Sequence, residues 1–311
     1  MDTPHPQHDP QPPAHDHGDR PGHDHDHQHD HGHDHDADGD FGTLAEMLDL
    51  DAEVLHAHLA EVVASVRALA DGAAVGRVLD LGAGTGTGTL ALARAFEQAE
   101  IVAVDRSPEM LARLDEKAAR LGFADRVSTV AADLDTGWPP VGTFDLVWAS
   151  ASLHHMADPA RTLKEILAAL RPGGLLAVVE LDGLPRFLPD DLGIGRPGLE
   201  ARVHTMLSAR HATDVPHLGA AWGGPLAAAG FTVESERTYA IELRGPDLHE
   251  ATGRYARATL RRVRDHLGDR LEADDLATLD TLLDGAGPES LLRRDDLTVR
   301  ATREVWTARR P

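Results

Sequence analysis

The sequence predicts a doubly wound α/β fold, with a mainly parallel seven-stranded sheet covered by helices on both faces, from three features of its 311 residues. Short apolar runs alternate with stretches of helical periodicity, the pattern of a parallel sheet wrapped by crossover helices. Two prolines, Pro108 and Pro159, directly follow the capping side chains Ser107 and Asp158, marking two helix starts. One apolar run leads straight into a glycine-rich turn and then into a further helical stripe.

In chain order, residues 1–40 interleave His, Asp, Gly and Pro with almost no aliphatic side chains. Such a segment cannot bury enough surface to offset its ordering entropy, so a disordered tail is expected there. From Phe41 to Pro311 a folded unit is expected, with a core over 72–182 and helical cap insertions over 183–230 and 245–295. Leu55, Leu59, Val62, Val66 and Leu69 form one apolar stripe of an entry helix. Strands are predicted at Arg77–Leu81, Ile101–Asp105, Val127–Ala131, Phe144–Ser150 and Leu175–Glu180, a sixth within Phe231–Leu243, and a last at Leu297–Thr307. Leu163, Ile166, Leu167 and Leu170 make a buried helical stripe that Pro172-Gly173-Gly174 stops. Ala256, Leu260, Val263 and Leu267, then Leu276, Leu279, Leu282 and Leu283, mark two late helices.

Composition narrows the function classes. The net charge is −22, of which the first forty residues carry about −10, with eleven Asp against a single Arg. Apart from Arg257 to Arg264 no basic stripe interrupts the remainder, which excludes nucleic acid as the expected partner. No apolar run is long enough for a membrane span, and Met1-Asp2-Thr3-Pro4-His5 has no leader character, so a cytoplasmic location is expected. There is no cysteine, hence no thiolate ligand, thiol nucleophile or disulfide.

The glycine turn carries the chemistry. Val78-Leu79-Asp80-Leu81-Gly82-Ala83-Gly84-Thr85-Gly86 joins a strand to a helix whose inner face holds Leu90, Leu92 and Phe96. Glycines let a backbone approach a ligand closely, and Asp105, closing the second strand, is placed to accept from both hydroxyls of an adenosine ribose. Nicotinamide and S-adenosylmethionine sites share that pairing. A dinucleotide fingerprint wants Gly or Ala at the sixth position of the motif, where Thr87 stands, so the spacing favours a ligand without pyrophosphate. An NAD-dependent oxidoreductase is the weaker alternative.

From about Leu55 to Glu180 the sequence resembles the class I S-adenosylmethionine-dependent methyltransferases, particularly the ubiquinone-biosynthesis-like branch that acts on small molecules. The resemblance implies that Asp80, Gly82, Ala83, Gly84 and Gly86 surround the amino-acid end of S-adenosylmethionine and that Asp105 holds the ribose. It implies that Asp133 and Leu134, in Ala131-Ala132-Asp133-Leu134, contact the adenine edge, and that Arg106 flanks the adenine face. The strand Phe144 to Ser150, with Ser150 at its cofactor end, and Leu170-Arg171-Pro172-Gly173-Gly174 fit the same pattern.

Methyl transfer is an in-line displacement in which the protein mainly positions the small-molecule acceptor and excludes water. His154 and His155 follow the fourth strand and are the candidate proton acceptors, with packing on the cofactor as the plainer role. No Asn-Pro-Pro-Tyr or Asp-Pro-Pro-Tyr follows that strand, and arsenite methylation would need thiols. Glu180 and Asp182 are candidates to hold a cationic or hydroxylated acceptor. Trp148 reads as core, while Trp222 and Tyr255 are candidates either to stack on a flat substrate or to pack.

In the tail, His23, His25, His27, His29, His31, His33 and His35 stand at every second position, with Asp at four of the six positions between them. Imidazole with carboxylate support suits Ni²⁺, Zn²⁺, Co²⁺ and Cu²⁺. A metal-storage or metal-delivery protein built on a methyltransferase scaffold is therefore a further alternative, against which the intact glycine turn, Asp105 and Asp133 argue.

Overall fold

The computed structural model describes residues 34–70 and 75–311, with side chains from residue 42 onward. In chain order its main elements are α1 (Asp34–Val54), α2 (His56–Leu69), β1 (Arg77–Leu81), α3 (Thr87–Ala95), β2 (Glu100–Asp105), α4 (Pro108–Arg120), β3 (Val127–Ala131), β4 (Phe144–Ser150), α5 (Pro159–Ala169) and β5 (Leu170–Leu181). They continue with α6 (Leu199–Asp214), α7 (Gly223–Ala229), β6 (Thr232–Arg244), α8 (Thr252–Leu267), α9 (Ala273–Leu283) and β7 (Thr298–Arg309).

The strands form one seven-stranded sheet in the order β3-β2-β1-β4-β5-β7-β6. The first five run parallel, and β7 enters antiparallel between β5 and β6. The doubly wound prediction holds, and its switch point, where ligands collect in such sheets, falls between β1 and β4. Alternation along the central strands feeds two cores. Val78, Ile101, Leu146 and Leu175 face α2, α3 and α4. Leu79, Leu81, Val102, Val104 and Val147 face α5 and α7 on the other side. Each fully buried Val or Leu here contributes about 1.5–3 kcal/mol.

The predicted caps are present: Ser107 Oγ accepts from Met110 N–H at 3.2 Å and Asp158 Oδ1 from Arg161 N–H at 3.0 Å. The α5 helix stops one residue earlier than its apolar stripe suggests. Leu170 is already extended and pairs with Phe144, which lengthens β5 at its start.

Three expectations change. The backbone is helical from Asp34, so the boundary expected at residue 40 falls inside α1. The expected entry helix is α2, with Leu55 at its N-cap (φ −99°, ψ 19°), but a second helix, α1, that the stripe does not foretell precedes it. Leu50, Val54 and Leu55 join a third core with α6, α8 and α9, whereas Val62, Val63 and Val66 pack on the sheet layer, and one straight helix cannot serve both. Within 183–230, α7 covers the sheet beside α5, so only the loop after β5 and α6 belong to the cap; α8 and α9 complete it.

Candidate active site

The glycine turn is built by backbone bonds from Gly82 and Ala83 N–H to the Val104 carbonyl, at 2.8 and 3.0 Å, which lash β1 to β2 where the turn begins. Gly82, Gly84 and Gly86 have φ of +68°, +51° and +90°, a region L side chains avoid. Two of these glycines also make room for protein. A Cβ on Gly82 would stand 2.5 Å from Ser152 Cβ, and one on Gly86 2.5 Å from Leu114 Cγ. At Gly84 the nearest atom is Leu48 Cδ1 of α1 at 3.4 Å.

Asp105 ends β2 beside this turn. Its Oδ2 accepts from Gly84 N–H at 2.8 Å and its Oδ1 from Ser107 N–H at 2.9 Å. Each carboxylate oxygen can accept more than one hydrogen bond, so the carboxylate, half-buried and already oriented, keeps capacity for a ribose diol. Ser152 Oγ, buried against Gly82, has no hydrogen-bond partner among the described residues. Asp133 is exposed after β3 with its Oδ1 on Asp135 N–H, and the Leu134 side chain is buried beneath it. An oriented diol acceptor, an unsatisfied hydroxyl at the turn and an open carboxylate at the adenine position fit S-adenosylmethionine.

Several of the residues that the resemblance gives to the cofactor are engaged by the protein itself. Asp80 is 2% exposed and accepts from Thr89 Oγ1 at 2.6 Å, fastening β1 to α3; burial, with Asp105 adding to it, pushes its carboxyl up to about 7. Ala83 is buried in the core below the turn. Ser150 is half-buried at the end of β4, opposite Val179. Arg106 is exposed and close enough to His155 to act on its charge.

After β4 the chain passes through Ala151, a non-glycine residue with positive φ (+50°), into a single turn at Leu153–His155. Glu180, at the end of β5, does not await a cationic acceptor as expected. It is buried, accepts from Leu153 N–H at 3.0 Å and takes the Nδ1–H of His154. That bond fixes the His154 ring and leaves Nε2 as its acceptor nitrogen when neutral. The His155 ring packs on it, centroids 4.1 Å apart. His155 reaches solvent, yet loss of surrounding water, and then the charges of His154, Arg106, Arg262 and His211, push its pKa down to about 4.

Asp182 lies beyond β5 in a cavity of about 740 Å³ beneath α6, which also includes His204, His211 and Arg300. Neither aromatic candidate stacks there. Trp222 is buried between α7 and the sheet, and Tyr255 packs edge-on to Phe187 at 5.0 Å with its hydroxyl on Asp51. Trp148 is core, as expected.

Sequence reasoning missed α1 as a wall of the site. Asp49 takes hydrogen bonds from Thr85 Oγ1, at 2.5 Å, and from Lys117 Nζ, which also reaches the Thr85 carbonyl at 3.0 Å. Two residues on, Asp51 binds Tyr255 of α8 and Arg303 of β7. Asp49 and Asp51 lie outside the apolar stripe, and Lys117, one of two lysines in the chain, was the one available hint.

The tail histidines His23, His25, His27, His29, His31 and His33 lie outside the described residues, and His35 is described only as backbone of α1. Among the described residues no group of three or more His, Asp or Glu is placed to hold a metal ion, and no helix is long and apolar enough to cross a membrane.

A glycine turn at the switch point, an acid closing β2 and an antiparallel seventh strand between the fifth and sixth define a class I methyltransferase. The methyltransferase domain family matches residues 78–174. Trans-aconitate 2-methyltransferase of Methylobacterium nodulans is 33% identical over 220 residues, 70% of this chain and 80% of that one. The 27-O-demethylrifamycin SV methyltransferase of Amycolatopsis mediterranei is 34% identical over 102 residues, 33% of this chain and 37% of its own. The solved YcgJ protein of Bacillus subtilis superposes with a TM-score of 0.50 at 18% identity, over 80% of this chain and 97% of that one, a likeness of fold. The chain belongs to the class I S-adenosylmethionine-dependent methyltransferase family, which displaces the nicotinamide alternative. Its alignments span only 37%, 38% and 37% of the length of three of the curated relatives it matches.

Proposed function

We propose that this protein transfers a methyl group from S-adenosylmethionine to a small-molecule acceptor bound between the carboxyl end of the sheet and the helical cap. The observation that carries this reading is Asp105, held by the Gly84 and Ser107 amides with its remaining lone pairs available beside the glycine turn. When bound, S-adenosylmethionine supplies a methyl electrophile for in-line displacement. Asp105 would hold the ribose, Asp133 and Leu134 the adenine edge, and the Gly84 to Gly86 turn with Ser152 the amino-acid end. Helix α1, through Leu48 and Asp49, would exclude water from the turn. The acceptor would enter beside His154 and His155. Relatives named for trans-aconitate and for a rifamycin share this core, so the core by itself leaves the acceptor open.

Calorimetry tests the reading. The full chain should bind S-adenosylmethionine, and Asp105→Ala should weaken it at least tenfold, because two hydrogen bonds to a charged acceptor contribute about 1.5–3 kcal/mol each. Equal affinity of the variant would sink it.

A metal-binding role of the tail is a separate proposal. Its support is the every-second-residue spacing from His23 to His35 with intervening carboxylates. Metal storage on an inactive scaffold receives no support, because Asp105, the turn and Asp133 keep the arrangement a working cofactor site needs.

A further inference from the structure

The cavity beneath α6 runs against the charge of the chain. In a protein of net charge −22 it presents Arg186, His204, His211 and Arg300, opposed along its lining by Asp182 and Glu242. Arg244 already engages Glu242.

Arg186, in the loop after β5, and Arg300, in β7, form an isolated antiparallel bridge, with N–H···O distances of 2.8 and 2.9 Å in the two directions. Residues directly opposed in such a hydrogen-bonded pair project to the same face, about 5.5 Å apart at Cα. Two guanidinium groups are thereby set side by side, an arrangement that is destabilising unless anions offset it.

One anion is present. Glu200 Oε2 accepts from Arg300 Nη2 at 2.9 Å, and the same nitrogen reaches the Leu188 carbonyl at 2.7 Å. Arg300 Nε, however, is buried without a hydrogen-bond partner among the described residues, and Arg186 forms no ion pair there. The arginine pair thus keeps donors that no group among the described residues uses, with Asp182 the remaining carboxylate of the cavity lining. The field of the pair registers on His204, whose pKa burial, then Arg186, Arg300 and His211, push down to about 4. His211 lines the same cavity and acts on the charge of His155, so this lining lies within electrostatic reach of the turn after β4.

We propose that Arg186 and Arg300 anchor an oxyanion of the methyl acceptor, a carboxylate or a phosphate ester, at the end of the cavity remote from the transferred methyl. Arg186 offers a free planar fork that matches either group bidentately. Arg300 completes the pocket while Glu200 holds it in place. The assignment rests on the methyltransferase reading above and adds to it the chemical class of the acceptor.

Calorimetry on the full chain loaded with S-adenosylhomocysteine tests it, with tricarballylate and glycerol 3-phosphate as probes. At least one probe should bind, more weakly as salt rises, and the tighter of the two identifies the oxyanion. Arg186→Gln should weaken it at least tenfold, with Arg186→Lys between the two, while S-adenosylhomocysteine affinity stays unchanged. If S-adenosylhomocysteine binds but neither probe does, or if Arg186→Gln binds the probe as tightly as the native chain, the anchor is wrong and the methyltransferase reading stands. If S-adenosylhomocysteine itself fails to bind, that underlying reading fails.

Discussion

Asp49 of α1 accepts the Thr85 hydroxyl at 2.5 Å, a bond between the helix that precedes the sheet and the glycine turn itself. Lys117 shares the same carboxylate, so α1, the glycine turn and α4 meet at one half-buried charge. Cofactor affinity should therefore depend on a residue well outside the sheet. Asp49→Ala should weaken S-adenosylmethionine binding roughly three- to thirty-fold, the worth of about 1–2 kcal/mol of charge-assisted bonding, with little loss of thermal stability. Equal affinity by calorimetry would mean that α1 only covers the turn.

Asp80 links the turn to pH. Its carboxyl, ordinarily at 3.8, titrates at about 7 in the folded protein because burial disfavours the charged form. The folded state then holds this proton more tightly than the unfolded state, so its contribution to stability is full below about 4 and is lost as pH rises to about 7. The three-unit difference sets a ceiling of about 4 kcal/mol on that loss. Asp80→Asn, which keeps an oxygen for Thr89, should flatten the decline in urea midpoint between pH 5 and pH 8. Parallel curves for the two proteins would show that Asp80 stays ionised.

Most of the sheet was legible because its central strands are short, almost continuously buried apolar runs and because the glycine turn, Ser107-Pro108 and Asp158-Pro159 punctuate the chain locally. The cap was less so. Whether Leu55 continues a helix or breaks it depends on two cores that compete for its neighbours, and neither core is visible in a linear stripe. The site shows the same division. Asp105 could be found by its spacing from the turn, and Asp133 by resemblance to the family's adenine-contact motif. The pairing of Glu180 with His154, the reach of Asp49 to Thr85 and the Arg186–Arg300 bridge join residues 26, 36 and 114 positions apart, separations that no motif records.

For the tail, ten of the twenty histidines lie in residues 1–33, ahead of α1. Deleting these residues should leave the fold and S-adenosylmethionine affinity intact and remove most Ni²⁺ binding, measured by equilibrium dialysis. Undiminished Ni²⁺ stoichiometry in the truncated chain would move the site into the folded part.

The pair His154 and His155 should contribute through position more than through proton transfer. A general base works best with a pKa near the operating pH, and His155, at about 4, is a weak acceptor at neutrality. Its replacement by Ala should therefore cost less than about tenfold in kcat/KM, and the rate should be flat between pH 6 and pH 8, since the imidazole is already neutral across that window. His154 is different in kind, because its Nδ1–H is spent on the buried Glu180. Glu180→Ala should release that ring and raise KM more than it lowers kcat, with His154→Ala giving the same signature. A loss of roughly 10² to 10⁴ in rate on removing either histidine, partly restored at higher pH, would instead identify a proton acceptor for a hydroxyl.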